Sequence, residues 1–378
     1  MARIQVAVAK PEGRQSSSWS ASRAHAGKHA QGAQQSGMWQ LYAGSVQRRL
    51  LWLAMLGLLA LLCSFADLSV GPAHYPMNQV FSSLWSPHAP QVVRVVLHDI
   101  RIPAALTALV VGASLSVAGV EMQTVLNNPL ASPFTLGVSA AASFGAALGL
   151  VLGVSVLPAA LVPYIIPVNA FVMAMGAVLL IDRVTRWRGM SSELIVLLGT
   201  TLVFAFTALL QGLQYMAPDQ ALAAVVFWSM GSLTRTNGIR LAIMAGALLL
   251  VLVAFMRDAW ALTALRLGDA RAGALGVPVA KLRLRIIVLS SLLASVCVSF
   301  VGAIGFVGLI GPHIARMLVG EDQRFLLPAA ALCGATLLSA ASVASKVVLA
   351  GQTLPIGIVT SLVGVPLFFV LIVRKGMR

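Results

Sequence analysis

The residues able to do chemistry are few in this sequence, and their spacing argues against most of it. His25 and His29 have the i, i+4 spacing of a helical metal pair, but no third ligand accompanies them. His74, His88 and His98 are scattered through one stretch, and His313 beside Pro312 reads as a helix-end hydrogen bonder. Cys63, Cys297 and Cys333 stand far apart inside apolar runs without CxxC spacing, which makes them packing thiols. Gly302, Gly305, Gly308 and Gly311 recur every three residues, which is not GxGxxG, and no βαβ unit surrounds them. No lysine sits in a GxxxxGK[ST] phosphate loop, so any ATP must be hydrolysed by another protein. The carboxylates Asp67, Asp99, Asp182, Glu193, Asp219 and Asp258 fall at the ends of apolar runs or between them, with Glu121 near the end of one. A proton- or sodium-coupled pathway needs such groups at mid-membrane depth. An embedded enzyme needs a constellation of the HExxH kind, and neither is present.

The elements that would have to position these residues are long apolar runs. Of 378 residues, 59% are apolar and 10% charged, against about 25% charged in an ordinary soluble domain. From Met122 to Ile181 there is no Asp, Glu, Lys or Arg, and one span of a bilayer takes about 20 apolar residues. Helices satisfy their own backbone in lipid, and the runs are too long for barrel strands. The expected fold is therefore all-α and polytopic. Its ten spans lie near 50–66, 103–122, 133–153, 158–181, 193–215, 238–257, 283–303, 306–319, 326–349 and 355–373. The uncharged run 286–315 exceeds one span, and its glycines with Pro312 predict a break into a helix and a short re-entering one. Gly112, Ser116 and Gly119 predict close helix packing. Residues 1–45, polar and without an apolar segment, read as a disordered cytoplasmic tail outside a membrane domain at 46–378, and not as a cleavable signal.

The net charge of +15 does not mark a nucleic-acid binder, because the basic residues bracket the apolar runs instead of forming a stripe. With ten spans, 21 of the 26 basic residues fall on one side of the membrane. The positive-inside rule then places both termini in the cytoplasm. On residues alone, a secondary transporter driven by an ion gradient is the alternative to an ATP-driven one.

An ordered set of motifs runs from about 46 to 378. It comprises Arg101-Ile102-Pro103, Gly112 to Gly119, Gln123, Asn128-Pro129-Leu130-Ala131 and Leu136-Gly137-Val138-Ser139. Trp228-Ser229-Met230-Gly231, Leu267-Gly268-Asp269, Gly302 to Gly308, Gly311-Pro312-His313, Leu354-Pro355-Ile356-Gly357 and Gly364-Val365-Pro366 complete it. The set resembles the permeases of bacterial iron-siderophore, haem and cobalamin ABC importers, the family of the vitamin B12 importer permease. That resemblance implies an inner-membrane subunit that pairs with an identical or paralogous permease around a central path. Two cytoplasmic ATPase subunits would bind ATP and Mg, a periplasmic binding protein would deliver a metal chelate, and this chain would carry no cofactor or metal of its own. A ferric siderophore is the first choice of substrate, with haem or cobalamin beside it.

The resemblance also assigns roles. The segment 258–282 corresponds to coupling helices that dock on the ATPase: Arg266, Asp269 and Arg271 supply polar contacts, Leu267, Leu275 and Val277 an apolar face, and Gly268, Ala272 and Gly276 complete the motif. Arg101 and Lys346 match basic positions that meet acidic groups of the binding protein. Ala104, Ser342 and Thr353 depart from charged residues of the family pattern, which implies a less charged docking surface. Ser191 and Ser192 match the cytoplasmic gate, and Thr200, Thr201, Gln211, Gln214 and Thr360 are expected to line the path.

Overall fold

The computed structural model describes residues 16–71, 91–155, 157–158, 161–188, 191–349 and 351–376. Twelve helices form among them, and no strand. They are α1 Ser16–Ser69, α2 Gln91–Val125, α3 Val138–Leu152, α4 Val162–Arg188, α5 Ser192–Met216, α6 Asp219–Ser229, α7 Gly238–Leu265, α8 Asp269–Ala274, α9 Val279–Val301, α10 Val307–Val319, α11 Gln323–Val347 and α12 Ile356–Gly376. Seven are long and apolar enough to span a bilayer, and α3, α10 and α12 are shorter apolar helices. Together they account for the ten expected spans; α6 and α8 are additional. The chain divides at Leu51 into two units. Helix is assigned from Ser16, within the segment expected to be a disordered tail, and residues 1–15, His74 and His88 lie outside the described residues.

Local chemistry sets the boundaries. The side chains of Ser191, Asn237 and Asp322 each accept a backbone N–H in the first turn of α5, α7 and α11, satisfying donors that a helix start leaves open. The third span starts at Val138, not at 133, because Ser132 and Thr135 close a turn on each other and Gly137 adopts φ 83°. The long run at 286–315 breaks as expected but at another place. Gly302 (φ 83°) ends α9, Phe306 (φ 67°) precedes α10, and Pro312 and His313 lie inside α10. Pro312 is therefore not the breaker, and His313 is not at a helix end.

α2 is the axis of the packing. Its lower half, Val117 to Val125, belongs to one apolar cluster with Leu262, Ile286 and Leu327, and its upper half, Ala104 to Leu115, to another with Val298, Leu338 and Ile356. Backbones meet at Gly112 against Gly334, where a Cβ on either would run into the other's carbonyl, and at Gly119 against Gly308, where a Cβ on Gly119 would run into the Gly308 carbonyl and one on Gly308 into that of Leu115. The small residues at 112, 116 and 119 thus do what their spacing predicts. By contrast, α1, α5 and α7 leave most of their apolar surface uncovered, an arrangement suited to lipid or to another subunit rather than to water.

Candidate coupling site and translocation path

At one end of the bundle the end of α2 collects polar ties from three other helices, α9, α10 and α11. Arg283 on α9 is 6% exposed. Its Nε donates to the Val125 carbonyl at 2.8 Å, and its Nη2 lies 2.9 and 3.0 Å from the two carboxylate oxygens of Asp269, the first residue of α8. Arg316 on α10 donates to the Gln123 side chain and, at 3.3 Å, to the Val120 carbonyl. Its Nε also lies 3.3 Å from Glu321, whose other oxygen accepts from Arg266 at 2.6 Å. Gln323 at the start of α11 donates from its side chain to Thr124 and from its backbone to Thr263. Two guanidinium bridges therefore connect the exposed α8 segment with the end of the most buried long helix.

The expected coupling residues divide by orientation. Leu267, Arg271 and Leu275 are exposed, as a docking face requires, and Gly268 (φ 95°) and Gly276 (φ 85°) bracket the short helix. Ala272 is wholly buried and Val277 nearly so, so both anchor α8 to its own subunit and do not present a surface. Arg266 and Asp269 are held by Glu321 and Arg283. Sequence reasoning counted Arg283 only as a positive charge near the membrane. An arginine one turn inside an apolar helix was the signal that it missed.

At the opposite end, neither Arg101 nor Lys346 projects outward. Arg101 is 4% exposed and donates to the carbonyls of Leu68 and Ser69, the cation-to-carbonyl match that favours basic groups at helix C-termini. Lys346 donates to the carboxylate and carbonyl oxygens of Asp67 at 2.8 and 2.9 Å, with Asp67 fully buried. Both cations thus fasten the end of α1. Beside them lies a cavity of about 220 Å3 whose walls include Ala104, Ser342 and Thr353, together with Lys346 and Arg235. The three departures from the charged family pattern meet at this one hollow.

The expected path residues also divide. Thr200, Thr201 and Gln211 are exposed on α5, with both threonine hydroxyls bonded to carbonyls one turn back, and Gln214 is half-buried. Thr360 is buried and bonds to Gly357, so it does not line an open surface. Ser191 caps α5 by accepting from the Leu194 N–H, and Ser192 follows it as the first helical residue. A cavity of about 400 Å3 opens instead beside the α9–α10 break, walled by Phe134, Ser229, Phe306, Ser361 and Leu362 among others, with no charged side chain. Sequence reading quoted Ser229 and Phe306 only within motifs and assigned none of these residues to the path; the glycine-rich run at 302–311 was the available sign. No group of His, Cys, Asp and Glu able to hold a metal occurs among the described residues.

Comparisons with known proteins identify the family and the fold. Residues 58–374 match the model of the FecCD transport family. The hemin transport system permease of Yersinia pestis is 36% identical over 88% of this chain and 98% of its own length. The molybdate import system permease of Haemophilus influenzae is 35% identical over 86% and 97%. Among solved structures, an inward-facing metal-chelate type ABC transporter superposes with a TM-score of 0.75 at 32% identity, covering 85% of this chain and 98% of that one.

Proposed function

The chain belongs to the FecCD transport family and is a multi-pass inner-membrane permease subunit of an ABC importer; from that premise we propose that it imports a metal chelate by alternating access, driven through α8. The observation that carries the proposal is the pair of guanidinium bridges from the α8 segment to the end of α2. Two ATPase subunits closing on ATP would move the exposed face of Leu267, Arg271 and Leu275. Arg283 and the Arg266–Glu321–Arg316 chain would pass that movement to α2. The close contacts of α2 with Gly308 and Gly334 would then pass it to α10 and α11, and so to the break that walls the path. Both termini face the cytoplasm in this reading, and Ser191 and Ser192 lie at the cytoplasmic mouth. The second permease subunit, identical or paralogous, supplies the other wall, which gives the exposed Thr200, Thr201 and Gln211 a place on the path.

The uncharged lining at Phe134, Phe306 and Ser361 suits a cargo passed on weakly, selected by a periplasmic binding protein rather than by the permease. A small oxyanion such as the molybdate named for one relative would meet no cation there. A ferric siderophore, with haem or cobalamin next, fits better. The hollow at Ala104, Ser342 and Thr353 is proposed to receive a side chain of that binding protein, with Lys346 in its wall and Arg101 fastening α1 nearby rather than touching the partner itself.

The test is reconstitution with the cognate ATPase and binding protein, and ATP-dependent uptake of ferric siderophore, haem, cobalamin and molybdate. Uptake of one chelate that needs ATP and weakens when Asp269 and Arg271 are changed to Ala is expected. Uptake indifferent to ATP, with all partners assembled and active, would return the chain to the gradient-driven class.

A further inference from the structure

Two cavities at the end of the bundle opposite α8 share the wall formed by Pro167, Ser299 and Phe300. The larger, about 400 Å3, is a nearly wholly apolar groove between α4, α7 and α9, with Val168, Phe171, Ile243 and Val296 on its sides. Water would find few hydrogen-bond partners in it. The smaller, about 300 Å3, is walled by Arg235 and Arg240 beside Phe227 and Trp228. Arg235 donates from Nη2 to the Phe227 carbonyl, and Arg240 donates to the carbonyls of Arg235 and Pro163. Arg235 Nη1 and Arg240 Nε are nevertheless buried N–H groups without a partner among the described residues. Burial pulls the Arg235 guanidinium below its ordinary pKa, with no carboxylate acting against that. The Arg240 guanidinium lies 5.9 Å from the centre of the Tyr164 ring, at the mouth of the groove.

We propose that this pair of cavities is a binding site for one anionic phospholipid, its acyl chain in the α4–α7–α9 groove and its headgroup phosphate between Arg235 and Arg240. The inference rests on the chain being embedded in a bilayer and not on what it transports. Arginine, tyrosine and tryptophan at the edge of an apolar groove occupy the level where headgroups lie. A phosphate brings the acceptor oxygens that two unpartnered guanidinium N–H groups lack. Each arginine near a headgroup favours an anionic lipid by about fivefold. A zwitterionic lipid carries its own ammonium, which offsets that attraction. A free phosphate would fill the smaller cavity alone and leave the groove to whatever lipid is at hand. A second protein chain over the same groove would have to exclude lipid altogether.

The test is lipid retention by the full-length chain, purified from bilayers holding equal phosphatidylglycerol and phosphatidylcholine of identical acyl chains, with the co-purified lipid quantified by mass spectrometry. Wild type is expected to retain phosphatidylglycerol about 25-fold over phosphatidylcholine. Arg235→Gln with Arg240→Gln should abolish the preference, and Arg235→Lys with Arg240→Lys should restore most of it. Ile243→Trp, which fills the groove, should reduce retention of both lipids. Excess glycerol phosphate should not displace the bound lipid. Equal retention of the two lipids by wild type, an unchanged preference in the double glutamine variant, or displacement by glycerol phosphate each overturns the proposal; absence of both lipids from wild type would point to a protein occupant instead. Alkaline extraction of membranes keeps the premise separate, since an embedded chain stays in the pellet whatever lipid it selects.

Discussion

A buried cation with one partner is a different object from an exposed one, and Lys346 shows the consequence. Its ammonium and the Asp67 carboxylate are both almost wholly out of water, so removing either leaves the other uncompensated, at about 3–5 kcal/mol. Lys346→Met alone should therefore lower thermal stability in detergent markedly, whereas Lys346→Met combined with Asp67→Leu should recover most of it. Recovery of stability separates a fastening role from docking, which the double variant would not restore. Arg283 gives the matching case at the other end. It satisfies the Val125 carbonyl from a buried position while its partner Asp269 is largely exposed. Arg283→Ala should cost about 1–3 kcal/mol, because it leaves the buried Val125 carbonyl unpaired, and Asp269→Ala a comparable amount, because it leaves a buried guanidinium without its counter-ion, read from thermal unfolding of the purified subunit. If the two losses simply added in the double variant, the bridge would not be a linkage. Glu121 is wholly buried, and neither of its oxygens has a hydrogen-bond partner among the described residues. Glu121→Gln, which keeps the shape and removes the charge that burial penalises, is expected to leave folding unharmed, as the same unfolding measurement would show.

Among the elements, α8 is too short to be stable alone, and its attachment decides what it can transmit. Ala272 packs inward while Leu267 and Leu275 face out. Leu275→Ala should change stability by less than about 0.5 kcal/mol yet reduce ATPase retained in co-purification. Ala272→Leu should overpack the joint and cost about 1–3 kcal/mol. A Leu275 variant that kept full ATPase retention would remove the docking face from the account. The same element shows where sequence reading stops. Ten spans were legible because an uncharged run of span length has few other meanings in a chain this apolar. The Gly112–Gly119 contacts were legible because small residues at helical spacing let backbones approach. α8 had no apolar run to announce it, and only the family resemblance of 258–282 predicted a short helix there. The break before α10 was expected from glycine and proline together, but only the chain's conformation shows that Gly302 and Phe306 make it and that Pro312 does not. The fates of Arg101 and Lys346 were hidden for a simpler reason: their partners on α1 are remote in sequence, and charge sorting treats a buried cation and a free one alike.

For the whole molecule, the uneven distribution of charge and the two polar ends define an orientation that can be measured directly. The α8 segment with Arg266, Arg271, Arg283 and Arg285 lies at the end that also carries Arg183 and Arg186 in sequence register, whereas Arg235 and Arg240 lie on the other side of an odd number of spans. Basic residues are retained on the cytoplasmic side, so α8 should face the cytoplasm and the short 3-10 helix Leu233–Arg235 the periplasm. The three native cysteines are free, two of them buried, and their replacement by Ser or Ala provides a background for single-cysteine labelling. In intact cells, Thr234→Cys should react with a membrane-impermeant maleimide, and Leu275→Cys should react only after the membrane is opened. Both side chains are exposed, so failure to label would not arise from burial within the subunit. The reverse pattern would invert the topology and place α8 where no ATP-hydrolysing partner could reach it, which would remove the drive from the transport cycle while leaving the fold untouched.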